Sequence, residues 1–200
     1  MSNVPKWVFL SSGLAPLLFI GGWVVAARME GPPYNPVSQT ISVLAAYGAA
    51  GSWVMTGALV SLGICHLLTA WGLRPAAVAG RAALAGGGVA ALLVAMIPAP
   101  LTGGSLRHSA VAVVGFTLLA AWPVLAANRS GSAPWALRRA PSIMATAVIL
   151  AGAAWFLFEI ERQGAAGVAE RFVTGVQSFW PFVVVASCLQ GPRRSRDQSA

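Results

Sequence analysis

The chain has 200 residues, of which 57% are hydrophobic and only 9% charged, against roughly 25% charged in soluble proteins. Thirteen basic and five acidic residues, a net charge of +8, cannot solvate the surface of a soluble fold of this size. That excludes a soluble enzyme, a disordered chain and a typical nucleic-acid binder. What remains is a multi-pass membrane protein, with anionic lipid headgroups as the expected partners of its basic loops and tail and no nucleic acid.

Crossing the hydrocarbon core takes ~20 apolar residues. Six runs of that length occur, at residues 7–27, 53–73, 79–98, 108–126, 141–158 and 168–189, followed by a basic tail at 190–200. The pattern predicts an all-α bundle of six transmembrane helices forming one domain over 1–200. The first run is too long for a signal-peptide core and lacks a clean cleavage site, so it is read as a retained anchor. Pro32, Pro33 and Pro36 end this first span. Residues 38–44 then read as a short helix at the outer interface, with Ser38 as its N-cap. Pro16, Pro123 and Pro181 fall inside spans, where neighbouring helices can satisfy the freed carbonyls. Gly86, Gly87 and Gly88 in the third span allow a close helix approach.

Orientation follows from the basic residues. Lys6, Arg74, Arg81, Arg129, Arg138, Arg139, Arg193, Arg194 and Arg196 fall on one side; Arg28, Arg107, Arg162 and Arg171 fall on the other. Both termini are therefore expected in the cytoplasm. Lys6 is the only lysine, a compositional hint of a high-GC bacterium and hence of its cytoplasmic (inner) membrane.

Four of the five acids, Glu30, Glu159, Glu161 and Glu170, lie at the outer end. In the last span Glu170, Thr174, Gln177 and Ser178 share one helical face, which runs ~10 Å inward. Polar groups at that depth face the bundle interior or a wet cavity, because lipid offers them no partner. Glu159 ends the fifth span above Trp155 and Phe156, and Asn35, Gln39 and Ser42 come to the same level. His108 opens the fourth span beside Arg107 and is suited to carry a proton near neutral pH. The expected site is thus a pocket open to the outer leaflet, with Glu159, Glu170 and His108 as catalytic groups. Asn35, Gln39, Ser42, Arg107, Trp155, Thr174, Gln177 and Trp180 are expected to bind substrate. Trp23, Trp53, Trp155, Phe179 and Trp180 are candidates for an aromatic wall. Simpler readings stand beside these. Glu159 and Arg162 are one turn apart and can simply pair, and tryptophans at span ends belong to the interfacial belt. His66, in the second span, reads as hydrogen-bonded to a neighbouring helix.

No aspartate lies in any span, which argues against a magnesium site for a diphosphate. The cysteines, Cys65 and Cys188, lie far apart in apolar runs, and the two histidines are also far apart. No metal and no cofactor is expected.

Residues 31–48 resemble the first-loop motif of a bacterial membrane-protein family known as domain of unknown function 998. The family pattern Tyr-(Asp/Asn/Ser)-Pro-x-x-(Asp/Gln)-Thr-Ile-Ser-x-Leu-(Ala/Gly) is met here from Tyr34 to Ala45. The resemblance covers essentially the whole chain. It includes His108 after the loop between spans three and four, and a Gly-x-x-x-Arg element from Gly167 to Arg171. Two departures stand out. Ile97, Pro98, Ala99 and Pro100 carry no aspartate where the family often has Pro-x-Asp, and the motif's usual acid is Gln39. If the family uses those acids catalytically, this chain either does not or has moved the role to Glu159 or Glu170. The layout is also similar to that of small multi-pass lipid hydrolases with a membrane Thr and His, for which Thr40 or Thr56 with His108 are the counterparts.

Three functions fit. The first is an enzyme without metal acting on a membrane lipid or isoprenoid by acid–base chemistry. Its forms are a terpene-cyclase-like, proton-initiated prenyl cyclisation, or lipid ester hydrolysis with Thr40 or Ser42 as nucleophile and His108 as base. The second is a non-catalytic lipid-binding or structural subunit. The third is a small transporter, against which no charged residue sits at mid-membrane. The oligomeric state is not encoded in any feature of the sequence.

Overall fold

The computed structural model describes residues 4–32, 34–101, 104–128, 130 and 133–190. Arg129 and the tail arginines Arg193, Arg194 and Arg196 lie outside the described residues. Within them there is helix and no strand. Six long helices, α1 (Lys6–Glu30), α3 (Ser52–Gly72), α4 (Val78–Met96), α5 (Leu106–Ala126), α6 (Arg139–Glu161) and α7 (Ala166–Leu189), are each apolar and long enough to cross a membrane. A single-turn helix, α2 (Ile41–Leu44), lies between α1 and α3, and a 3-10 turn (Trp135–Leu137) precedes α6. The protein is a multi-pass membrane protein.

The six predicted spans are all present, with ends displaced by a few residues. Hydropathy locates the part of a helix that needs hydrocarbon, whereas Glu30, Arg107 and Glu161 extend three of the helices into polar surroundings. Pro16, Pro123 and Pro181 do lie inside α1, α5 and α7.

The packing order determines where a site can form. Helix α1 packs on α3, α3 on α4, α4 on α5, α5 on α6, α6 on α7, and α7 returns to α1 and also touches α3. The spans thus close into a ring in chain order. At one point two backbones meet directly. A Cβ on Gly63 of α3 would stand 2.7 Å from the Gly88 carbonyl oxygen of α4, and a Cβ on Gly88 would stand 2.8 Å from that of Gly63. Only glycine permits this approach.

Two large apolar cores fill the ring, with a smaller cluster of Ala120, Ile149 and Val173 joining α5, α6 and α7. One, nearer the termini, contains Val8, Leu73, Leu84, Trp122, Leu137 and Val184. The other contains Phe19, Trp23, Leu44, Met55, Leu59 and Leu62. Helix α2 packs on α1 and α7 at the latter end. The expected helix over 38–44 is therefore only one turn long and does not lie along the surface: Ile41 is 4% exposed and Leu44 fully buried. Its cap position is Thr40, and Ser38 is exposed in the turn before it. The reason is long-range: the Ile41 N–H is satisfied by Glu170 of α7, so no local serine is needed.

Candidate functional site

A cavity of about 90 Å³ lies inside the ring beneath α2. Helices α1, α2, α3, α4, α5 and α7 contribute to its wall; α6 contributes nothing. The wall is largely apolar, with Phe19 and Phe116 as its aromatic rings, but one line of polar groups runs along it. At the α2 end are Ser42, His108 and Glu170; deeper lie Thr174, Gln177, Ser178 and His66.

The three outer groups are bonded to one another. His108 Nε2 is 3.2 Å from Ser42 Oγ, and Ser42 Oγ is 3.5 Å from Glu170 Oε1. His108 Nδ1 is 2.8 Å from the Ile97 carbonyl oxygen, which fixes the ring on the α4–α5 connection. His108 is positioned from below by the start of α5, where Ser105 Oγ accepts its backbone N–H at 3.3 Å. Glu170 Oε2 accepts the Ile41 N–H. Its side chain thereby anchors α2, and Oε1 accepts the Ser42 hydroxyl on the side away from the Ile41 N–H. Deeper, Thr174 Oγ1 donates to the Glu170 carbonyl at 2.7 Å, and Gln177 Nε2 donates to the Phe116 carbonyl at 3.1 Å. Gln177 thereby ties α7 to α5.

The loop before α2 is held from α7. The Arg171 guanidinium donates to the carbonyls of Pro36 (2.9 Å), Gln39 (3.1 Å) and Gly167 (2.7 Å), and to the Tyr34 hydroxyl. Its charge also lies over the Tyr34 ring, 5.9 Å from the centroid. Gly167 leaves room for the Pro36 and Gln39 carbonyls, and the Val168 N–H donates to the Val37 carbonyl at 3.2 Å. Burial raises the Tyr34 phenol above its usual pKa, with Arg171 opposing that shift.

A profile of the family described as "Protein of unknown function (DUF998)" matches residues 14–187. The chain belongs to this family. No curated protein and no solved structure matches it. The two stretches that carried the resemblance, residues 34–45 and the element from Gly167 to Arg171, are the two that dock on each other at the mouth of the cavity.

The other residues singled out from sequence fall elsewhere. Glu159 is on α6, outside the ring interior. It accepts hydrogen bonds from Trp155 Nε1 (3.0 Å), Arg162 Nε (2.9 Å) and the Ala165 N–H (2.5 Å), and so ties off the α6–α7 turn. Trp155 packs edge-on against Phe172. Asn35 Oδ1 accepts the Val37 N–H at 2.9 Å, and Gln39 Oε1 accepts the Asn35 N–H at 2.7 Å, so both side chains shape the loop. Arg107 is exposed, with no hydrogen-bond partner among the described residues. Trp180 packs against the core nearer the termini, and Trp53 is 71% exposed. None of the five residues expected to form an aromatic wall lines the cavity.

His66 departs from expectation. It is fully buried on the cavity wall, and neither ring nitrogen has a hydrogen-bond partner among the described residues. The anticipated bond to a neighbouring helix is absent among the described residues; where α3 passes closest to α4, His66 Cβ lies beside Gly88, which offers no side chain.

Proposed function

We propose that the protein transfers the acyl group of a membrane lipid ester to water, with Ser42 as nucleophile and His108 as general base. One observation carries this reading: the bond from His108 Nδ1 to the Ile97 carbonyl. A carbonyl oxygen only accepts, so Nδ1 carries a proton, and in the neutral imidazole the Nε2 lone pair faces Ser42 Oγ, whose single proton turns to it from the longer 3.5 Å bond to Glu170. That is the arrangement in which an imidazole removes a hydroxyl proton as the oxygen attacks a carbonyl carbon. Ile97 orients the base as a carboxylate does in other triads, and Glu170 is a positioning residue that holds Ser42 through α2.

The cavity is smaller than the ~300–1,000 Å³ typical of ligand pockets. The ester alone therefore reaches Ser42, and the acyl chains stay in the bilayer beyond the α2 end. The uneven distribution of basic residues supports the reading in which that end lies at the outer leaflet of a bacterial cytoplasmic membrane, with anionic lipids against the opposite face. Prenyl cyclisation has less support, because two phenylalanines are the only aromatic rings on the wall.

A structural role has one observation in its favour: Ser42, His108 and Glu170 together bond α2, α5, α7 and the α4–α5 connection. The two readings separate in one experiment. The protein is reconstituted in phosphatidylcholine vesicles and treated with a fluorophosphonate, and the labelled residue is identified by mass spectrometry. Labelling is expected on Ser42, with at least a hundredfold lower rate in His108→Gln at unchanged melting temperature. Labelling absent from Ser42, with Ser42→Ala and His108→Gln merely melting earlier, refutes the catalytic reading in favour of the structural one.

A further inference from the structure

The cavity continues well below Ser42. His66 Cβ lies beside Gly88, nine residues before Ile97 on α4, and Ile97 is the residue that bonds His108. At 1.5 Å per residue this puts His66 ~13 Å deeper than the His108–Ser42 pair. On the opposite wall Gln177, seven residues after Glu170, lies ~10 Å deeper. Below His66 the ring is closed by the apolar core around Leu84 and Trp122. The cavity is therefore a blind well with polar groups from top to bottom.

Buried polar atoms in native proteins are almost always hydrogen-bonded. His66 lines this cavity, and both of its buried ring nitrogens lack a hydrogen-bond partner among the described residues. Gln177 uses one of its two amide N–H groups on Phe116 and Ser178 its hydroxyl proton on Gly175, which leaves both oxygens as acceptors. The group that answers an imidazole and these acceptors must both donate and accept. It must also be small, since the cavity has room for several waters but not for a lipid chain.

We propose that the well is an internal water compartment, anchored at its base by His66 with Gln177 and Ser178, which supplies the hydrolytic water to Ser42. The supply role rests on the acyl-transfer reading; the compartment itself does not. In the deacylation step a water oxygen from the well bonds to the acyl carbon of acylated Ser42. His108 Nε2 takes one proton from that water. The bond to Ser42 Oγ then breaks, Oγ recovers the proton from Nε2, and the free carboxylic acid leaves. Each ester thus consumes one water, which is drawn from the well and replaced past Ser42 from the α2 end.

Two measurements test the proposal separately. The first is water-edited solid-state NMR on ¹⁵N-histidine-labelled protein in phosphatidylcholine vesicles. The chain has two histidines, so His108→Gln identifies the signals of His66. Magnetisation is expected to pass from water to both His66 ring nitrogens. Transfer from lipid methylene protons instead, or none at all, overturns the compartment whether or not the protein hydrolyses esters. The second is pre-steady-state release of nitrophenol from a p-nitrophenyl acyl ester by wild type and His66→Phe. The burst that reports acylation of Ser42 is expected to persist, while the steady-state rate falls at least tenfold. An equal steady-state rate in a hydrated well overturns the supply role. Absence of any turnover in wild type refutes the acyl-transfer reading, and with it the supply role, while the NMR result still decides the compartment.

Discussion

Replacing Arg171 by lysine tests how the motif loop is held over the cavity. The arginine fork reaches the Pro36, Gln39 and Gly167 carbonyls and the Tyr34 hydroxyl at once. Lysine is a compact point charge without that planar fork, so at least two of these bonds are lost. A bond from a charged donor contributes ~1.5–3 kcal/mol when buried. Arg171 is partly exposed, and screening reduces the figure to ~1 kcal/mol for each bond. Two bonds amount to ~2 kcal/mol, or about a thirtyfold increase in the open population of the loop. Hydrogen exchange in detergent reads this directly at Ile41, whose amide donates across the docked surface to Glu170, and less at Val168, whose amide is shared between Val37 and the local Ala165 carbonyl. In Arg171→Lys the Ile41 amide is expected to exchange about thirtyfold faster and the Val168 amide faster by less, while the amides of α4 and α5 keep their protection. Unchanged exchange at Ile41 and Val168 would show that the guanidinium does not hold the loop.

Glu159→Gln weakens the α6–α7 turn, because an amide accepts the Arg162 and Ala165 donors less strongly than a carboxylate does. A lower melting temperature with wild-type fluorophosphonate labelling of Ser42 is expected; lost labelling would return Glu159 to the site. Tyr34 gives a pH dependence. Its phenol is raised in the folded state, so the folded protein binds more protons than the unfolded one above the usual tyrosine value of ~10. Its contribution to stability is complete below that pH and declines as the solution becomes more alkaline. Thermal melting should therefore fall more steeply above pH ~10 in wild type than in Tyr34→Phe; parallel profiles would contradict the assignment.

The spans were readable from sequence because hydrocarbon imposes a length and a composition on each helix independently of its neighbours. The polar face of α7 was readable for a similar reason: Glu170, Thr174 and Gln177 have no place against lipid, and all three line the cavity. Glu159 illustrates the limit. Its bonds to Trp155 and Arg162 span one helical turn and follow from spacing alone. That α6 stands outside the cavity wall depends on which helices meet, and an outer position on its helix says nothing about that. Ser42 lay within the motif, but its place between His108 and Glu170 is created by contacts more than sixty residues apart in the chain. His66 was misjudged because its surroundings depend on the pairing of Gly63 with Gly88, which hydropathy does not report.

The circular packing order has a consequence for biogenesis. A membrane protein is threaded into the bilayer from its first helix to its last, and here the enclosure between helices is sealed only when α7 comes to rest against α1. Until then Glu170 is absent, and nothing from α7 receives the first amide of α2. Assembly is therefore completed from the carboxyl-terminal side: a nascent chain halted after α6 has five of its six long helices and the chamber groups Ser42, His66 and His108, but not Glu170, Thr174, Gln177 or Ser178, which close it.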